Sequence, residues 1–113
     1  MENIKQSAEI HSFQSWVDFK DIERSKQVCA QILKDSGFNV LNYSEQLFPG
    51  GGFTAIWLLG ESHLAIHLFM PEGKMFFDLA SCNKNKSDLF SDYFRKSFAK
   101  EKITSTMRYS SKG

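Results

Sequence analysis

Three short apolar runs lie close together in the middle of this chain, at residues 53–59, 62–70 and 75–80, and turns of two and four residues join them. Each run has the length of a strand and is rich in the aromatic and β-branched residues that strands favour. Because short turns can connect antiparallel strands but not parallel ones, the three runs predict an antiparallel meander.

Amphipathic helices are predicted on either side of this meander. The first covers residues 22–36, where Asp21 can cap the start and Gly37 can end the helix. Its apolar stripe consists of Ile22, Val28, Cys29, Ile32 and Leu33. The second covers residues 87–99, where Ser87 can serve as the cap. Its apolar face consists of Leu89, Phe90, Tyr93, Phe94 and Phe98.

Three further strands are expected at residues 9–19, 38–48 and 103–109, with a frayed start at residues 1–8 and a disordered tail at residues 110–113. The resulting order predicts an α+β fold, a two-layer sandwich in which two helices cover one face of a mainly antiparallel sheet. The 113 residues are expected to form one domain.

The run at residues 53–59 is apolar on both of its sides. One side carries Phe53, Ala55, Trp57 and Leu59, and the other carries Ile56 and Leu58. A strand of this kind is covered on both sides. Since one layer of helices covers only one face of the sheet, a homodimer is expected.

Composition excludes several classes of function. The net charge of +1 does not provide the concentrated basic face that nucleic acid binding requires. The chain has no signal peptide and no apolar run of membrane-spanning length, so we expect a cytoplasmic protein without a membrane partner. Cys29 and Cys82 lack CxxC spacing, and no histidines or cysteines are spaced as metal ligands, which predicts reduced thiols and no metal site.

Chemically capable side chains concentrate in the second apolar run and continue to Cys82. Glu61, Ser62 and His67 lie at or within an otherwise apolar segment, where unpaired polar groups are costly. Serine, histidine and cysteine are the side chains that nucleophilic and acid–base catalysis uses most often. Strand alternation directs Ser62 and His67 to opposite faces, so contact between them would need a bend or bulge near Ser62.

The joint spacing of these residues resembles that of the bacterial S-adenosylmethionine decarboxylases. The matching segments are Gly-Glu-Ser-His-Leu-Ala-Ile-His at residues 60–67 and Phe-Asp-Leu-Ala-Ser-Cys at residues 77–82, with a Pro-Glu turn between them. His11 and the Phe48-Pro49 pair before the glycine-rich turn also fall where the family has such residues. The resemblance extends over most of the chain.

This resemblance implies a proenzyme that cuts itself between Glu61 and Ser62. The Ser62 hydroxyl would attack the Glu61 carbonyl carbon to give an ester, and His67 would then remove the Ser62 α-proton. The product would hydrolyse to a pyruvoyl group, a covalent cofactor that forms a Schiff base with the substrate amine and accepts electrons as carbon dioxide leaves. Cys82 matches the family's proton donor.

The resemblance also suggests three further site residues. Thr54 stands where the family has a second processing serine, and it keeps the hydroxyl. Phe48 resembles a residue that stacks on adenine. Glu72 resembles the glutamate that binds the substrate ribose, although the Pro71-Glu72 pair is shifted by one residue from the family's turn.

The expected function is therefore decarboxylation of S-adenosylmethionine, the reaction that supplies the aminopropyl donor for polyamine (spermidine) biosynthesis. Two alternatives remain open at this stage. One is the same pyruvoyl chemistry on a smaller amino acid such as arginine or ornithine, and the other is an unprocessed, non-catalytic homologue that acts as a binding partner.

Overall fold

A computed structural model describes residues 8–113. Within them the elements are β1 (Glu9–Asp18), α1 (Ile22–Asp35), β2 (Asn42–Leu47), β3 (Phe53–Leu58), β4 (His63–Phe69), β5 (Lys74–Ser81), α2 (Lys84–Ser97) and β6 (Lys102–Lys112). The strands form one sheet in the order β2-β3-β4-β5-β1-β6, and every neighbouring pair is antiparallel. The predicted α+β fold is confirmed.

Alternation along the strands gives the sheet a helix-covered face and an open face. On the helix-covered face, buried side chains of β1, β3, β4 and β5 pack against the helices, and α2 lies on β1 and β5 with α1 beside it. Aromatic rings dominate this core: Phe94 meets Phe13 and Phe77 edge to face, with ring centroids 5.0 and 4.9 Å apart. The interdigitated rings explain why α2 is held against the sheet.

The predicted limits of α1 are confirmed to within one residue. The Asp21 side chain accepts a hydrogen bond from the Arg24 backbone N–H at 3.0 Å, which satisfies one of the free donors at the helix start. Gly37 follows the helix with φ of +91°, a conformation that side chains disfavour. Cys29, Ile32 and Leu33 are buried as expected.

The predicted start of α2 was wrong. Asn83, not Ser87, caps the helix, and its side chain accepts from the Lys86 backbone N–H at 3.0 Å. Ser87 lies inside the helix and is buried, and the helix ends at Ser97. Leu89 is also misplaced, because the buried stripe runs through Phe90 and Phe94 and leaves Leu89 exposed.

Two strand predictions also need correction. The second strand is shorter than residues 38–48 and contains only Asn42–Leu47, while Phe38 is buried in the loop after α1. The tail at residues 110–113 is not disordered, since β6 continues to Lys112 and pairs with Glu9. The expectation of fraying at the N-terminus falls mainly on residues 1–7, which lie outside the described residues.

The open face carries no helix from residues 8–113, yet it is strongly apolar. Ile56, Leu58, Phe69, Met107 and Tyr109 are exposed on it. Trp16 and Phe76 are half-buried there, with ring centroids 4.8 Å apart. Neither α1 nor α2 is long and apolar enough to cross a membrane.

Candidate active site

The peptide bond between residues 61 and 62 lies at the tip of the β3–β4 hairpin. The Leu59 N–H donates to the Ser62 carbonyl oxygen at 2.8 Å, so that only Gly60 and Glu61 form the loop. Gly60 has φ of +82°, which suits the first position of a tight two-residue hairpin loop and disfavours any other residue. Both loop residues are exposed, so this peptide bond is presented at one end of the sheet.

Ser62 is buried on the helix-covered face, directly after the loop. Its hydroxyl donates to the Ser81 hydroxyl oxygen at 3.0 Å, and Ser81 is itself fully buried at the end of β5. Sequence reasoning passed over Ser81. The sequence did contain a signal for it. Ser62 is two residues before Leu64 and so faces the same side of β4 as Leu64 and Ile66, and Ser81 is the last residue on the buried side of β5.

Thr54 and His67 form a second polar pair, on the open face. They are cross-strand partners on β3 and β4, and the Thr54 hydroxyl lies 2.9 Å from His67 Nδ1. The His67 ring stacks on that of Phe76 with centroids 6.5 Å apart. The family resemblance gave both residues a role in self-processing, and the structure brings them into contact.

Ser62 and His67 of one chain do not meet. Residues 63–69 form a continuous strand paired without interruption to β5, so the bend that contact would require is absent from it. Five residues of extended chain place the two Cα atoms about 17 Å apart. The side chains also point to opposite faces of the sheet, as alternation predicts.

Two cavities lie along β4, one near the Ser62 end and the other near His67. Glu61 and Cys82 line a cavity of about 560 Å³ together with the ends of β1 and β6. Phe48, Thr54 and His67 line another of about 270 Å³ beside the glycine-rich turn. Glu72 is exposed in the turn between β4 and β5 and lines neither of these cavities.

The two cysteines have opposite environments. Cys82 is exposed just after β5, whereas Cys29 is completely buried among the side chains of the core. Burial raises the pKa of the Cys29 thiol far above its ordinary value, because the core disfavours a thiolate. Of the two, only Cys82 can reach a substrate. No cluster of three His, Cys, Asp or Glu side chains among residues 8–113 is arranged to hold a metal ion.

Comparison with known proteins assigns this chain to a family. Residues 8–109 match the family model described as S-adenosylmethionine decarboxylase. The chain therefore belongs to the S-adenosylmethionine decarboxylase family, and this membership implies a decarboxylase.

Comparison with solved structures agrees on the fold. The chain is similar to the crystal structure of the adenosylmethionine decarboxylase from Aquifex aeolicus VF5, with a TM-score of 0.73. The match covers 95% of this chain and 91% of the other at 15% sequence identity. A comparison with curated protein sequences gave no match.

Proposed function

We propose that this chain is a pyruvoyl-dependent S-adenosylmethionine decarboxylase made as a proenzyme that cleaves itself between Glu61 and Ser62. The observation that carries the proposal is the tight hairpin loop, which presents this peptide bond beside a hydrogen-bonded serine hydroxyl. Cys82 lies in the same cavity as Glu61. Family membership favours this function over the two alternatives, a decarboxylase of arginine or ornithine and a non-catalytic partner.

The residues present fit a pyruvoyl group formed from the chain itself. Ser62 Oγ would bond to the Glu61 carbonyl carbon as the peptide C–N bond breaks, and the hydroxyl proton would pass to the Ser62 nitrogen. Loss of the Ser62 α-proton would then release the Glu61 carboxylate, and water would replace the nitrogen as ammonia leaves. The resulting ketone supplies an electron sink for decarboxylation.

If His67 is the base for the second step, it has to come from a second protomer. Within one chain about 17 Å of strand separates His67 from Ser62. The exposed apolar side chains of the open face favour a homodimer in which two such faces meet. In that arrangement the partner's His67, oriented by its Thr54, would reach the Ser62 end of this chain.

The same dimer would complete the substrate site. Cys82 would protonate the product carbanion, since it is the exposed thiol beside Glu61. Phe48 is 47% exposed at the cavity that holds His67, which suits an aromatic surface for adenine and a sulfonium group. Glu72, exposed in its turn, would accept from the ribose hydroxyls. The product would be the aminopropyl donor for spermidine synthesis.

Intact mass tests the self-cleavage. The purified chain should give fragments 1–61 and 62–113, the second without a free amino terminus, and Ser62→Ala should stay whole. His67→Ala should stop at the ester, so hydroxylamine should still cut it. A wild-type chain that remained whole after long incubation would support the non-catalytic alternative.

Release of labelled carbon dioxide tests the substrate. S-adenosylmethionine, arginine and ornithine, each labelled in the carboxyl carbon, are compared with the processed protein. Release from S-adenosylmethionine alone is expected. Release from either free amino acid, with none from S-adenosylmethionine, would leave the pyruvoyl mechanism standing and change the substrate.

A further inference from the structure

Ser81 is a residue whose contacts bear directly on the proposed cleavage. Its hydroxyl oxygen accepts from the Asn83 backbone N–H at 3.0 Å, and its own hydrogen points to the Asn83 carbonyl oxygen at 3.4 Å. A serine hydroxyl has one donor and two acceptor positions. Only one acceptor position therefore remains, and the Ser62 hydroxyl donates to it at 3.0 Å.

The turn around Asn83 thus dictates the direction of the bond between the two serines. The Ser62 hydrogen is directed at Ser81, which leaves the lone pairs of Ser62 Oγ free of this contact. Ser62 and Ser81 are only 6% and 0% exposed, so water competes little with the bond. A nucleophile that keeps one rotamer and has free lone pairs avoids the loss of orientational freedom during attack.

We infer that Ser81 is a positioning residue for self-cleavage, an inference that rests on the proposed function. It holds Ser62 Oγ for the step in which the bond from Oγ to the Glu61 carbonyl carbon forms and the peptide C–N bond breaks. Ser81 exchanges no atom in this step, because the Oγ proton ends on the Ser62 nitrogen. Its hydroxyl acts only on the first step, before any ester exists.

The test follows cleavage of freshly synthesised chain by intact mass. Ser81→Ala should slow the appearance of fragments 1–61 and 62–113 by roughly ten- to a hundredfold, the range that misplacement of a reacting group produces. Ser81→Thr should restore the rate to within a few-fold, because it returns the hydroxyl. Ser91→Ala, at an equally buried serine on α2, should cleave like the wild type.

Two further readouts separate positioning from a general effect on folding. The uncleaved Ser81→Ala chain should resist hydroxylamine, because it waits at the amide, whereas the uncleaved His67→Ala chain should be cut at its ester. Asp21→Ala removes the cap of α1 and contacts neither Ser62 nor Ser81, so it should lower the melting temperature and leave the cleavage rate near that of the wild type.

Cleavage of Ser81→Ala at the wild-type rate would overturn the inference, and so would equal slowing in Ser81→Thr or hydroxylamine-sensitive accumulation in Ser81→Ala. If Ser81→Ala fails to fold, Ser81→Cys carries the test, with the same slowing expected from its weaker acceptor. A wild-type chain that does not cleave would instead refute the proposed function.

Discussion

On the helix-covered face, the inward side chains of β3 are at most 4% exposed, whereas Ile56 and Leu58 on the open face of the same strand are 42% and 47% exposed. Both sets of side chains are apolar, so the difference in their exposure arises because only one face of the sheet is covered by helices. The helices of this chain bury the first set, and nothing among residues 8–113 buries the second. An apolar face left uncovered on a finished core is typical of a surface that meets a partner.

The polar pairs follow the same division. Ser62 and Ser81 are buried together on the helix-covered face, while Thr54 and His67 meet on the open face at the other end of β4. Under the proposed function, one face holds the nucleophile in place and the other presents the base. In the proposed mechanism, a single protomer can therefore prepare the first step of cleavage, whereas the second step needs the open face to meet another copy.

Mixing two inactive variants gives the largest expected effect, because the outcome is all or none. Ser62→Ala and His67→Ala should each fail to mature alone. In a mixed dimer, the His67→Ala chain keeps its Ser62 and receives His67 from its partner, so it should be cleaved. Co-expression with different affinity tags, followed by mass measurement of each chain, checks this.

The control for the mixing experiment is a pair of chains that both carry His67→Ala. That pair should accumulate only the hydroxylamine-sensitive ester. If the mixed dimer behaves like this control, His67 does not act across the two open faces, and the division between the faces proposed above would be wrong.

The two cysteines give the next largest effect. Cys82→Ala should still be cleaved but should lose about a hundredfold to ten-thousandfold in kcat, the usual contribution of a general acid. Cys29→Ala should instead keep its turnover and lose about 1–2 kcal/mol of unfolding free energy, because its side chain is buried in the core. Carbon dioxide release and denaturant unfolding measure the two quantities.

If Cys82→Ala retained wild-type turnover, Cys82 would not be the proton donor. Conversion of the pyruvoyl group to alanine in that variant, seen as a mass change of fragment 62–113, would support its role. This change would mean that the carbanion had been protonated at the wrong place.

Two neighbouring phenylalanines on β5 compare the faces directly. Phe77 is fully buried on the helix-covered face, and Phe77→Ala should cost about 3–5 kcal/mol of unfolding free energy. Phe76 is half-buried on the open face against Trp16, and Phe76→Ala should cost only about 1 kcal/mol. Urea unfolding in a Ser62→Ala background, where the chain stays whole, measures both at protein concentrations low enough for the proposed dimer to be dissociated. Equal losses would mean that the open face is part of the core.

A charge on the open face should have the smallest effect on the stability of the fold. It should instead weaken the association of two copies. Leu58→Asp would bury a carboxylate in the proposed interface, which costs several kcal/mol, so the dimer should dissociate at concentrations where the wild type is paired. Leu89→Asp, on the exposed side of α2, is the matched control and should stay dimeric. Sedimentation velocity distinguishes the two, and a Leu58→Asp dimer of wild-type strength would place the interface elsewhere.

Local patterns in the sequence determined most of the secondary structure, and the family resemblance of one motif indicated the candidate site. Asp21 and Gly37 act through neighbours within one helical turn, and the alternation of β3 and β4 depends only on residue spacing. The motif from Glu61 to Cys82 likewise consists of residues whose order is visible without a fold. These signals are short-ranged, so they survive without knowledge of tertiary contacts.

Tertiary structure decided the features that depend on which segments become neighbours. Asn83 and Ser87 are both good caps, and the helix starts at the first because Ser81 and Asn83 form the turn that leaves β5. The C-terminal residues pair with β1 across about a hundred positions of sequence, which no local signal foretells. The contact between Ser62 and Ser81 and the separation of Ser62 from His67 arise in the same way, because strand pairing brings distant residues together and holds near ones apart.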